Sequence, residues 1–165
     1  MFLKKLIYSF RIMEPLYPLC GGIVLLVLGA VMMVSSACHP MYSLLLLPRN
    51  ALPYWLFAGT GLLLFFLLGA CAGMLFAIPG CKCGVCRPLI GVVAMTILMF
   101  VWYHILFRSL NIVTACILLV IVLLLEIISI GNTARNNQPA MLLLMLTLPI
   151  TLHFMWFNVG LIFLN

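Results

Sequence analysis

Charge is scarce in this sequence, and acidic side chains are almost missing. Only 6% of the 165 residues are charged, and the only acids are Glu14 and Glu126. A soluble domain carries about 25% charged residues, so this chain cannot cover a water-facing surface. Two carboxylates far apart in sequence give little basis for catalysis by paired acids, and the scattered Lys and Arg argue against an extended nucleic-acid interface. We therefore expect neither an enzyme nor a nucleic-acid partner.

Long apolar runs take the place of charge. Hydrophobic residues make up 67% of the chain and the mean hydropathy is +1.38, which indicates that its solvent is the lipid bilayer. A membrane-spanning helix needs about 20 apolar residues. Five windows satisfy this requirement, at about 15–36, 55–78, 88–107, 112–131 and 139–164. The sequence predicts an all-α integral membrane protein. Residues 15–165 form one five-helix bundle with a long first loop, after a basic cytoplasmic head at residues 1–14.

The head and the first window have a second interpretation, as a cleaved signal peptide. The start is basic, and the small residues at 35–37 are typical of a cleavage site. The apolar core of a signal peptide is only about 7–15 residues long, however. The longer stretch found here favours a retained first helix.

The basic residues predict the topology. If the chain crosses the membrane five times, six of the eight basic residues lie on one side of the membrane, namely Lys4, Lys5, Arg11, Lys82, Arg87 and Arg135. Arg49 and Arg108 lie on the other side. Because cytoplasmic loops are enriched in Lys and Arg, we expect the N-terminus inside, in a bacterial cytoplasmic membrane. A mitochondrial membrane is the alternative.

The first loop is apolar and rich in proline, with Tyr42, Leu44, Pro48 and Pro53 among its residues. Such a segment is expected to fold back over the mouth of the bundle. It is either a lid over a cavity or an interfacial segment anchored by aromatic side chains.

Two small residues one turn apart, Gly69 and Gly73, form a GxxxG motif in the second window. This motif lets two helix backbones approach closely. It predicts helix packing, and it leaves open the alternative of a scaffold protein that binds no ligand.

Glu126 is the only acid inside a span, where a carboxylate costs about 2.5–3.5 kcal/mol. It is expected to reach the interface, to pair with Arg135, or to lie on an ion or proton pathway. His153 lies in the middle of the fifth window, and we expect it to face the bundle interior together with Thr147, Thr151 and Asn158. Glu126 and His153 together define an alternative function, that of a small transporter or channel subunit.

Three thiols, Cys81, Cys83 and Cys86, lie close together between the second and third windows. Such a cluster could hold a soft metal ion, but a structural zinc site needs a fourth ligand. Acylation of the thiols or no role at all is the favoured interpretation, so no metal is expected.

Several short motifs appear in a characteristic order. They are Tyr42-Ser-Leu44 followed by Pro48, then Pro53-Tyr-Trp55-Leu-Phe57, Leu64-Phe65 before Leu68-Gly69, Trp102 before Phe107, and Asn158 before Asn165. Over residues 42–165 this order resembles the TspO/MBR family, also called translocator proteins or tryptophan-rich sensory proteins. The chain departs from the family pattern at Gly61 and Phe65, which replace Trp and Tyr, and at Met95 and Met99, which replace Gln and Asn. Pro149 lies about one helical turn later than the proline in the fifth helix of the family.

The resemblance implies a membrane receptor or transport protein with five helices. It would bind a flat apolar ligand, a tetrapyrrole such as haem or protoporphyrin or else a sterol, between the helices and the first loop. Haem or protoporphyrin would be a ligand, with no cofactor required, and turnover of a bound porphyrin stays open. The expected partners are the lipid bilayer, this small ligand and a second copy in a homodimer. The expected ligand-binding residues are Tyr42, Leu44, Arg49, Pro53, Trp55, Phe57, Trp102, His153, Trp156 and Asn158.

Overall fold

Five long helices and one short one make up the part of the chain that the structure describes. The computed structural model describes residues 16–36, 38–49, 51–77, 83–135 and 137–165, with the backbone alone at 83–86. The helices are α1 (Leu16–Ser35), α2 (Cys38–Leu44), α3 (Tyr54–Phe76), α4 (Cys83–Phe107), α5 (Ile112–Ala134) and α6 (Gln138–Leu164). The five long ones are apolar enough to cross a membrane. Over the described ranges, which contain no strand, the predicted all-α five-helix membrane fold is confirmed.

The helix bounds differ from the predicted ones mainly in two places. α4 begins at Cys83, so that Pro88 lies inside the helix rather than at its start. Its apolar part, Arg87–Phe107, still agrees with the predicted span. α5 continues to Ala134, past the predicted end at residue 131. The basic head at residues 1–14 lies outside the described residues.

Asparagine caps set where the last two helices begin. The side-chain oxygen of Asn111 accepts from the Thr114 amide at 3.1 Å, and that of Asn137 accepts from the Ala140 amide at 3.1 Å. Each cap satisfies a backbone donor that the first turn of a helix leaves unpaired. Pro139 follows the second cap, in a position where its missing N–H costs nothing.

The long helices form a ring in the order α1, α3, α6, α5, α4, and α3 makes extensive contacts with both α1 and α6. α4 closes the ring against α1 only loosely. We call the end where α1, α4 and α6 begin the basic end, and the opposite end the lid end. The lid is the segment between α1 and α3, comprising residues 38–49 and 51–53.

The GxxxG motif is used inside the chain, in a seam between α1 and α3. A Cβ atom added at Gly69 would clash with the carbonyl of Gly21, and one added at Gly73 would clash with the carbonyl of Tyr17. The two backbones therefore touch directly, as small residues permit. Because α1 itself covers the motif, the motif is not free to bind another chain, which removes its support for the scaffold alternative.

We expect Gly69→Ala to destabilise the bundle by about 1–3 kcal/mol, because the added methyl group overpacks a backbone contact that cannot yield. Gly59→Ala is the matched control, since nothing lies within 4 Å of a Cβ atom at Gly59. That control should be neutral or stabilising by up to about 1 kcal/mol, because Ala is the better helix former. Unfolding by SDS titration measures both variants, and equal stability of the two would contradict the seam.

Candidate functional site

Tyr42 fixes the lid to the bundle by inserting its ring between the helices. The side chain is buried, and its hydroxyl donates to the carbonyl of Leu52. The ring stacks on Phe157 with centroids 5.7 Å apart and planes 5° apart, and it lies 5.1 Å from Phe57. The first loop therefore folds back over the mouth of the bundle.

Two further contacts hold the lid to α6. Asn165 accepts from the Leu46 amide and donates to the Leu46 carbonyl, both at 3.1 Å. Pro48 packs against Gly160 so closely that a Cβ atom at Gly160 would clash with its ring. The contacts that attach the lid thus include a buried ring, a pair of hydrogen bonds and a proline contact.

Aromatic rings fill the space beneath the lid. Phe57 lies at the centre, 5.0 Å from Phe157 and 5.2 Å from Phe154. Trp102 is fully buried and stacks on Phe154 at 5.2 Å. The Tyr42 ring covers Phe57 and Phe157. A flat ligand that stacked on those two rings would therefore have to displace Tyr42 and move the lid.

Unpaired polar atoms lie among these rings. Asn158 is 0% exposed, and neither its amide nitrogen nor its amide oxygen has a hydrogen-bond partner among the described residues. Nε1 of Trp102 and the hydroxyl of Tyr103 are likewise buried without a hydrogen-bond partner within the described chain. Buried polar groups are nearly always paired, so these atoms mark where the polar groups of a ligand or bound water would fit.

The structure brings four of the ten expected ligand-binding residues into this interior, namely Tyr42, Phe57, Trp102 and Asn158. The other six, which are Leu44, Arg49, Pro53, Trp55, His153 and Trp156, are exposed or half-buried. Trp55 is 69% exposed, and His153 stacks on the half-exposed Trp156 at 5.9 Å. These outer aromatic residues suit a belt at the membrane surface.

Sequence reasoning missed Phe154, Phe157 and Tyr103 as parts of the site. The helical repeat could have predicted Phe154, because it falls on the same face of α6 as Thr147, Thr151 and Asn158. The position of Tyr103 depends on Gly61. A Cβ atom at Gly61 would clash with the hydroxyl of Tyr103 and with the methyl group of Met33, so two side chains from other helices occupy that space.

Glu126 faces α6 rather than the interface. It is 1% exposed, and its Oε1 accepts a hydrogen bond from the hydroxyl of Thr147. The expectation that it reaches the interface or pairs with Arg135 is wrong. Nine residues at 100° each place these two side chains on opposite faces of α5, and Arg135 is exposed.

A transporter path through Glu126 and His153 gains no support from this arrangement. Glu126 bonds to Thr147, whereas His153 stacks on Trp156 near the outside of the bundle. Thr147, Thr151 and Asn158 do face the interior, as expected, but His153 is only half-buried.

An apolar groove of about 550 Å³ opens toward the membrane between α1, α3 and α4, near the basic end. Its floor includes the backbones of Gly69 and Gly73, and Tyr17, Phe76 and Phe100 stand at its sides. The groove exists because α4 meets α1 only loosely.

No protein-family model matches this chain, and no curated protein matches it. Membership of the TspO/MBR family therefore stays a proposal that rests on the sequence motifs.

The cysteine cluster is only partly described. Cys81 lies outside the described residues, and Cys83 and Cys86 lie in the first turn of α4, where the backbone alone is described. The expectation that these thiols hold no metal stays a prediction. Cys38 on the lid is fully buried, and burial raises the pKa of its thiol to about 12, although a hydrogen bond with Tyr54 acts in the opposite direction.

Cys38 should therefore react very slowly with iodoacetamide. Because its pKa is raised, the reactive thiolate is absent at neutral pH and makes up only about one in ten thousand molecules at pH 8. The rate should rise about tenfold per pH unit up to the pKa, as measured by mass spectrometry of the Cys38 peptide. Asn165→Ala, which removes both bonds to Leu46, should speed the labelling. Labelling of the folded wild type as fast as in SDS would contradict a closed lid.

Proposed function

We propose that this chain is a ligand-binding membrane protein of the TspO/MBR type, which holds a flat apolar ligand beneath the lid. The ligand class is a tetrapyrrole such as haem or protoporphyrin, or a sterol. The observation that carries the proposal is Asn158, a fully buried amide with both polar atoms unpaired among the described residues. It directly follows Phe157, on which Tyr42 stacks.

The lid supports this function because a flat ligand could make the same ring contacts that Tyr42 makes. The Tyr42 ring lies flat on Phe157 and close to Phe57, which is the stacking that a flat ligand would make in its place. Trp102 and Tyr103 would offer hydrogen-bond donors from the opposite side. Arg49 is exposed on the lid, and its guanidinium is suited to pair with a propionate group of a tetrapyrrole.

Titration of the detergent-purified protein with protoporphyrin should quench its tryptophan fluorescence. The bundle holds a single fully buried tryptophan among the described residues, Trp102, so Trp55→Phe and Trp156→Phe should keep most of the quenching that reports this site. Asn158→Leu should weaken binding by about tenfold, because one to two lost hydrogen bonds are worth about 1.5 kcal/mol. The absence of quenching in the wild type would end the proposal.

The same substitution should make the empty protein more stable. Asn158→Leu replaces an unpaired buried amide by an apolar side chain of similar size, which should stabilise the bundle by about 1–3 kcal/mol. Thr147→Val is the matched control in the same helix, because its hydroxyl bonds to Glu126, and that variant should be destabilised. SDS unfolding without ligand compares the two. A destabilised Asn158→Leu protein would mean that the amide is paired in the free state.

The groove favours a second candidate, the binding of a sterol from the membrane. Its lining is almost entirely apolar, so it suits a ring system without charged groups and gives no partner for a propionate. Val93→Trp would fill this groove, and Val120→Trp on the membrane-facing side of α5 is the matched control. If a photoreactive sterol probe labels the control but not Val93→Trp, the groove is its site. Loss of labelling in Asn158→Leu instead would assign the sterol to the space beneath the lid.

A further inference from the structure

A second interior site lies in the middle of the bundle, apart from the rings beneath the lid. It is a narrow cavity between α3, α4, α5 and α6, and all of its lining side chains are buried. Those side chains are Leu64, Leu68, Met95, Met99, Val122, Glu126 and Thr151. The cavity is too narrow for a water molecule.

The carboxyl group of Glu126 is only half satisfied in this cavity. Its Oε1 accepts from Thr147, whereas its Oε2 is buried without a hydrogen-bond partner in the described part of the chain. Water cannot fill the gap, since no water-sized space is present. A buried carboxylate is costly unless it takes up a proton or a cation accompanies it. A bare metal ion is smaller than a water molecule, so it could replace the proton in this cavity.

The other heteroatoms in the cavity decide which cation suits it. Met95 and Met99 lie one turn apart on α4, and both line the space that Glu126 faces. Thioether sulfur is a soft ligand that selects Cu(I), whereas Mg²⁺ and Ca²⁺ need several oxygen ligands. Over the described residues, no group of three or more His, Cys, Asp or Glu forms a site for other metals. One carboxylate and one monovalent ion also leave the apolar interior with no net charge.

We propose that Met95, Met99 and Glu126 form a binding site for a soft monovalent metal ion, Cu(I). The ion binds in the closed cavity and neutralises the carboxylate, with Thr147 holding the other carboxylate oxygen. The site is independent of the proposed ligand beneath the lid, because it shares no lining residue with that space.

Cu(I) binding to the full-length purified protein tests the proposal. The protein is kept in ascorbate after its accessible thiols have been blocked with N-ethylmaleimide, and it competes for Cu(I) with a chromophoric chelator. The wild type should retain one ion per chain. Met95→Leu, Met99→Leu and Glu126→Gln should each bind at least about tenfold more weakly, in line with the effect of disturbing a metal site. Met145→Leu is the matched control, because Met145 is half-exposed on the outside of α6.

A second measurement separates loss of ligands from loss of fold. In protein labelled with ¹³C at the methionine methyl groups, Ag(I) should shift the NMR signals of Met95 and Met99 together and leave that of Met145 unchanged. Leucine is close to methionine in volume, so both Leu variants should unfold at nearly the wild-type SDS concentration. Unshifted Met95 and Met99 signals would overturn the proposal, as would full Cu(I) retention in the protein that carries both Met95→Leu and Met99→Leu. Protoporphyrin binding should be the same in all of these variants.

Discussion

A polar atom inside a lipid-embedded bundle has no water to bind, and this constraint governs where the few polar side chains of the chain lie. Thr96 and Thr151 donate their hydroxyls to carbonyls of their own helices, and Tyr42 donates to Leu52. Several buried side chains of the described bundle keep atoms without a partner, among them Trp102, Tyr103, Asn158 and Glu126. Because pairing is the rule in such an environment, the two exceptions with an amide or a carboxyl group, Asn158 and Glu126, are the indications of function on which our proposals rest.

The two exceptions differ in chemistry because different residues surround them. Aromatic rings from the lid, α3, α4 and α6 lie near Asn158, and they suit a flat organic ligand. Met95 and Met99 line the same cavity as Glu126, and thioether sulfur suits a soft ion. One face of α6 contributes to both the cavity at Glu126 and the space beneath the lid. Thr147 and Thr151 lie at the level of the cavity, and Asn158 lies nearer the lid. The direct backbone contact of Gly21 with Gly69 holds α1 against the central α3, although most of α1 faces outward.

Much of the fold could be predicted because hydropathy is a property of contiguous residues. The five spans, the folded-back first loop and the close packing at Gly69 all follow from local composition, and the structure has each of them. The candidate site was predictable only in part. Trp55 and Trp156 were expected to line a pocket but point outward, since an aromatic side chain serves equally well at the membrane surface, and no local pattern separates the two uses.

The sequence by itself determined the solvent, the number of membrane-spanning helices and the side chains available for chemistry, because these depend on which residues occur and in what order. The tertiary structure alone decided which of them meet. Glu126 faces Thr147 and two methionines instead of Arg135 because the helical repeat turns Arg135 to the opposite face of α5. Tyr103 and Met33 fill the space left at Gly61 because three helices converge there. Such contacts join residues far apart in sequence, and their geometry follows from how whole helices pack.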